Sequence, residues 1–210
     1  MKIRGTLLGG AAALLLAAPA GAATVATDKP CYLETEPMAV AGQGFAPGTV
    51  ADVQGAGVFG STPVDAAGNF GLQTAAPALG TTKPTVRRVT LTASDGVNAA
   101  EATIRVSTFR ADTKPRARRP GTVVKWRVSG FPAGAKVWAH YVHGGKQQRR
   151  VSFGRMPNNC GVLTRRLRQL PIDDPARGKW RIQLDTKKRY SAKTPLKLVM
   201  TGTVTSRVVG

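Results

Sequence analysis

The phrase "GFAPGTV" at 44–50 recurs almost intact as "GFPAGAKV" at 130–137, and apolar residues flank both copies in period-two alternation. That period marks strands with one buried face, so the chain must build the same β element twice. Two further cues follow each phrase in the same order. A polar turn with glycine, "DAAGNF" at 65–70 and "NNCGVL" at 158–163, leads into an apolar residue. Then "RRVTLTASDG" alternates Val89, Leu91 and Ala93, and "KWRIQLDTKK" alternates Trp180, Ile182 and Leu184. Three cues in one order identify a duplicated small β domain. The offset grows from 86 at Phe45 and Phe131 to 93 at Gly68 and Gly161. The second copy is therefore longer by about seven residues in the interval that holds the basic hairpin "HGGKQQRR".

In "VVKWRVSGF", Val124, Trp126 and Val128 are expected inward and Lys125, Arg127 and Ser129 outward. Trp126 and Trp180 are read as core residues. Gly and Pro interrupt the alternation at short intervals, and no stretch shows a helical stripe of ten residues. The expected fold is all-β: two tandem immunoglobulin/fibronectin-like β-sandwich domains, over 24–109 and 110–210. In the repeated phrase, Gly48 and Gly134 are expected in tight turns that need positive φ, with Phe45 and Phe131 closing the end of each core. The stretch "RADTKPRARRPG" lacks alternation and reads as a linker or as the opening strand of the second domain.

Residues 1–23 combine basic Lys2 and Arg4, a short apolar run and small residues at Ala20, Gly21 and Ala22. This is the layout of a secretory signal peptide, with cleavage expected near Ala22 or Ala23. The run is shorter than the roughly 20 residues of a membrane span. Cys31 lies too far on for a lipid-anchored start, and "TGTVTSRVVG" carries no hydrophobic tail. The mature protein is therefore expected to be secreted, with no integral membrane segment.

The opening "DKPCY" with the "GQGFAPGT" phrase resembles the tandem immunoglobulin-like modules of secreted actinobacterial proteins. Through "GFPAGAKVWAHY", "NNCGVLTRRLRQLP" and "GKWRIQLD", the second half resembles uncharacterised members of that group. The resemblance covers most of the mature chain. It implies a binding or structural module and supplies no catalytic residue.

Charge separates the two copies. From Thr24 to Phe109 five Lys or Arg stand against seven Asp or Glu, a net of −2; from Arg110 to Gly210 the count is 24 against four, a net of +20. The clusters are "KPRARR" at 114–119, Lys146, Arg149 and Arg150 in "KQQRR", Arg165, Arg166 and Arg168 in "RRLR", and Lys187, Lys188 and Arg189 in "KKR". Such a field attracts anionic polymers: envelope phosphate polymers, acidic glycans, anionic lipid surfaces or nucleic acid, of which an envelope polymer or glycan fits a secreted chain best. Arginine's planar fork suits phosphate and carboxylate. An outward Trp138 beside the basic hairpin would add a contact for a sugar ring. The alternatives are cations that merely solubilise a sandwich, and a structural or adhesive module that contacts protein without a polyanion.

No enzyme, cofactor or metal is expected. His140 and His143 read as surface or hairpin histidines, three apart and so on opposite faces of a strand, with no carboxylate or cysteine cluster to complete a metal site. Asp173 and Asp174 adjoin in a turn, so their side chains diverge and do not form the facing pair of a glycosidase. The two cysteines, Cys31 and Cys160, fall at non-equivalent places in the repeat: the opening strand of the first copy and the glycine turn of the second. Neither domain can bridge internally. A bond between domains, a bond between chains, or two free thiols remain, and an even count in an oxidising space makes the first the simplest.

Overall fold

The computed structural model describes residues 22–115, 119, 121–158 and 160–205. The stretch up to residue 21, read above as a signal peptide, and the candidate cluster residues Arg116 and Arg118 and the turn residue Asn159 lie outside the described residues. The described chain is all-β, and its two halves each fold two sheets face to face as a sandwich.

The first domain contains β1 (Thr24–Thr27), β2 (Cys31–Leu33), β3 (Pro37–Gln43), β4 (Val50–Gly55), β5 (Val58–Pro63), β6 (Phe70–Ala75), β7 (Val86–Ser94) and β8 (Ala99–Ser107). One sheet runs β1-β3-β6 and the other β2-β8-β7-β4-β5. The opening segment is thus not one strand: β1 pairs antiparallel with β3, then the chain crosses to the opposite sheet, where β2 pairs parallel with β8. Cys31 consequently sits in the second strand, beside the last strand of its domain. Val89, Leu91 and Ala93 of β7 enter a core with Val40, Val53 and Ile104. Full burial of such side chains stabilises by about 1.5–3 kcal/mol each.

The second domain contains β9 (Arg110–Lys114), β10 (Val123–Ser129), β11 (Lys136–His143), β12 (Lys146–Arg155), β13 (Leu163–Arg168), β14 (Gly178–Asp185) and β15 (Lys197–Val204), in sheets β13-β10-β9 and β12-β11-β14-β15. Trp126 is fully buried with its ring edge-on to Phe153 at 5.5 Å, and Trp180, Ile182 and Leu184 line the facing sheet. The extra length of this copy lies in its hairpin. β11 and β12 have 8 and 10 residues where β4 and β5 have 6 each, and two bulges interrupt the β11–β12 register.

The repeated phrase forms the same turn in both domains. Gly48 N–H donates to Val64 O and Gly134 N–H to Met156 O, both at 3.2 Å. The return bonds run from Val64 N to Thr49 O and from Met156 N to Ala135 O, both at 2.9 Å. The two glycines take φ of 76° and 70°, a region that a Cβ disfavours. Phe45 and Phe131 are buried beneath. In the first domain Asp95, in the β7–β8 turn, pins this loop by accepting from Ala46 N at 2.6 Å, while also accepting from Val97 N and Asn98 N. Backbone donors from Asn98 and Ala46 hold its carboxyl down at about 2.

The halves meet closely. Only Thr108 and Phe109 separate β8 from β9, so the stretch beginning at Arg110 is paired strand as far as Lys114, not free linker. Ser129, expected at the surface, does point out of its own core, but it is buried at the junction, where its hydroxyl donates to Thr108 O at 2.7 Å. Gly130 (φ 87°) lies so close that a Cβ would stand 2.7 Å from Thr108 O and from Phe109 Cα. Phe109 packs edge-on to Phe131 at 5.1 Å. Arg127 donates to Pro84 O at 2.9 Å, and Arg110 reaches Thr81 O and Glu34. A disulfide joins Cys31 to Cys160, with Cα atoms 6.3 Å apart and a separation of 129 in sequence. Cys160 aims its sulfur across the junction from a turn at φ 57°.

Labelling of the unfolded, unreduced protein should find no free thiol; two labelled cysteines per chain would reject the bridge in solution. Closing a loop of this length is worth on the order of 4–5 kcal/mol in the chain-entropy account, so reduction should lower the melting temperature by roughly 8–20 °C. Asp95 has a depressed folded pKa, so its contribution is present above the unfolded value of about 3.9 and is lost as pH falls toward about 2. Asp95→Asn should therefore melt lower at neutral pH and lose less stability than the parent between about pH 4 and pH 2.

Candidate functional site

The second domain displays its charge on two sheets that face away from each other, and strand register decides where each expected contact residue points. On the β13-β10-β9 sheet, Lys125 stands directly opposite Arg166 on one side and Lys114 on the other. Such residues share a face with Cβ atoms about 4.5–5.5 Å apart. The three side chains form a row across the outer face. All three are exposed, and none has an ion-pair or hydrogen-bond partner among the described residues. Arg168 flanks the row and meets Asp173 at 3.0 Å, a pair largely open to water and so worth little. Lys114 was read from the sequence only as the head of the "KPRARR" cluster, and Lys125 was not singled out, because a single lysine in a strand looks like an ordinary solvent-facing residue until pairing aligns it.

"RRLR" does not make one patch. Period two turns Arg165 to the inner side, opposite Trp126, while Arg166 and Arg168 face out. Arg165 folds over the edge of the sandwich instead, where its Nε donates to Phe153 O at 3.2 Å. It lies against Gly154, where a Cβ would come within 2.9 Å of the guanidinium. Its side chain is exposed beside that contact.

The β12-β11-β14-β15 sheet turns Val137, Ala139 and Tyr141 into the core and Trp138, His140 and Val142 outward. That outer face is covered by residues 187–191, which cross it. His140, Gln183 and Asp185 are fully buried beneath them. His140 is thus an interior residue, not a surface one. Its Nε2 faces Lys187 O at 3.0 Å and Asp185 Oδ1 at 3.3 Å, and its Nδ1 faces Gln147 Oε1 at 2.8 Å. Gln183 Nε2 donates to Asp185 Oδ2 at 2.7 Å and to Ser191 O at 2.9 Å, and Asp185 also accepts from Lys187 N. Arg150 spends its guanidinium on Lys188 O at 2.8 Å. The network pins the segment that displays Lys187, Lys188 and Arg189 to solvent.

Trp138 is half-buried, with Lys136 Nζ 4.5 Å and Arg150 Cζ 5.0 Å from its ring centre. Its π system thus already meets two cations of its own chain. Lys146 is exposed at the hairpin end, opposite His143. Arg149 takes the inner register opposite Tyr141, whose phenol burial pushes up, and lines an end cavity of about 380 Å³ with His143, Asp173, Asp174 and Trp180. Among the described residues no three His, Cys, Asp or Glu side chains converge as metal ligands. The nine basic candidates and Trp138 therefore divide among two opposite faces, one edge and one end.

Removing Asp185 would leave the Lys187 N–H without its acceptor and take one of two acceptors from each of the buried His140 and Gln183 side chains. Asp185→Ala should cost about 3 kcal/mol in urea denaturation, against under about 0.5 kcal/mol for Lys188→Ala, whose backbone carbonyl makes the contact.

No protein-family model matches the chain, and no curated protein matches it by sequence. Among solved structures, it is similar to the Ca2+-stabilised adhesin that helps an Antarctic bacterium reach out and bind ice, at 17% identity over 90% of this chain and 49% of that one, with a TM-score of 0.35. The ICAM-5 D1–D4 ectodomain fragment is similar at 12% identity over 87% and 50%, TM-score 0.37, and the titin Ig tandem domains A164–A165 at 11% over 86% and 95%, TM-score 0.31. The chain thus spans about half the length of the first two. At these levels the similarities assign no function, and the tandem immunoglobulin-like architecture stands on the chain's own two sandwiches.

Proposed function

We propose that the chain is an extracellular, non-catalytic structural and adhesive module whose two sandwiches act as one rigid unit. The observation that carries this reading is the junction: a covalent bridge, a buried Thr108–Ser129 hydroxyl pair at 2.9 Å and the Phe109–Phe131 contact tie together domains that only two residues connect. Independent modules on a chain default to relative motion. A junction fixed in this way suits a unit that transmits force or presents surfaces in a set geometry. The bridge also fits an oxidising, extracellular space.

A second reading, attachment of the basic domain to anionic envelope polymers or glycans, is supported by the unpaired cation row on β9, β10 and β13 and by the exposed Lys187, Lys188 and Arg189. The two readings separate by salt. Full-length mature protein should be retained on washed cell envelopes, and retention should persist to about 1 M salt if adhesion rests on protein contact, because screening at that strength reaches about 3 Å. Release over about 0.1–0.5 M salt would assign retention to polyanion attachment. No retention at any salt would overturn both readings.

A further inference from the structure

We propose that the outer face of the β13-β10-β9 sheet, centred on Lys114, Lys125 and Arg166, is the contact for a flexible linear phosphate polymer. This rests on the attachment reading given above and names its site.

Like charges directly opposite one another destabilise a sheet. Here three cations occupy adjacent strands in one row with no acid between them, although any polar side chain would serve equally well at solvent-facing positions of a sandwich. The nearest acids do not neutralise the row. Asp173 is engaged with Arg168, and Asp112 stands one pair along, opposite Arg127. The strands lie about 4.7–4.9 Å apart, so the row offers one cation per strand at intervals along which a flexible chain can lay successive phosphates. Arg166 supplies the planar fork that takes two phosphate oxygens, and the lysines supply point charges.

The rest of the face defines the partner by what it presents. Its outward residues on the three strands include no aromatic ring and no side-chain amide. No aromatic ring there can stack on a sugar or base, and the contacts the face offers are those of its cations. The opposite sheet differs: its cationic segment is pinned over a buried polar network, and its aromatic, Trp138, already meets two cations of its own chain. The end of the row's face nearest the junction is tied to the first domain through Arg127 and Pro84 O, so the interdomain contacts also fix the orientation of this surface.

The test uses the full mature chain and long-chain inorganic polyphosphate, titrated at several salt concentrations, with heparin as the glycan comparison. The triple variant Lys114→Gln, Lys125→Gln, Arg166→Gln should bind polyphosphate at least about tenfold more weakly and with a shallower salt dependence, while Lys187→Gln, Lys188→Gln, Arg189→Gln together should lose less than about threefold. Relief of repulsion should also raise the melting temperature of Lys125→Gln by about 1–3 °C while its affinity falls, a combination that a merely structural lysine would not give. An equal or larger loss from the 187–189 variant would overturn the site and leave attachment standing. Row-dependent binding of heparin without binding of polyphosphate would overturn the choice of partner. Failure of the parent chain to bind either polymer at about 0.15 M salt would overturn the attachment reading itself.

Discussion

The contact on which this architecture depends is the seam between the two sandwiches. Each domain buries its own core. What converts two such bodies into one shape is a set of short-range constraints gathered where β8 passes into β9: the Cys31–Cys160 bridge, the buried Ser129 hydroxyl on Thr108 O, and the glycine at 130 that lets the backbones approach. The bridge can form because the opening segment switches sheets. With β2 parallel to β8, Cys31 lies beside the strand that leads into the second domain. Had the segment stayed paired with β3, that cysteine would have belonged to the other sheet.

The same seam gives the charged domain its orientation. Arg110 and Arg127, which by composition belong to the basic surface, are used as interdomain donors to Thr81 O, Pro84 O and Glu34. Others of the 24 basic residues in this half are also committed: Arg150 caps a loop carbonyl and a tryptophan, and Arg165 closes a sandwich edge. A net charge of +20 therefore overstates the freely available charge, and what remains is divided between opposite faces. Long cationic side chains combine an apolar stem with several donors, which is why arginines can serve as packing in a domain that also presents charge to solvent.

The fold was legible because its information is local. Alternation at Val124, Trp126 and Val128, and at Trp180, Ile182 and Leu184, reports burial one strand at a time, and the paired phrases with Gly48 and Gly134 report the same turn made twice. Legibility failed wherever a residue's surroundings come from elsewhere in the chain. His140 alternates as an outward residue and is one, yet residues 187–191 fold back over it. Ser129 faces out of its own core and into the first domain. Lys125 carries no motif and Lys114 belongs to a different basic cluster, and only pairing of β9, β10 and β13 brings them into line with Arg166.

By itself the sequence determined the all-β duplicated architecture, the inward and outward faces of most strands and the location of the excess charge, since strand period, turn-forming glycines and composition act over a few residues. Only the tertiary structure decided which thiols meet, which histidine is interior and which cations share a face. Those outcomes depend on register and on contacts between segments far apart in the chain: a shift of one residue in a strand turns every side chain over, and no short window of sequence records the partner on the other side.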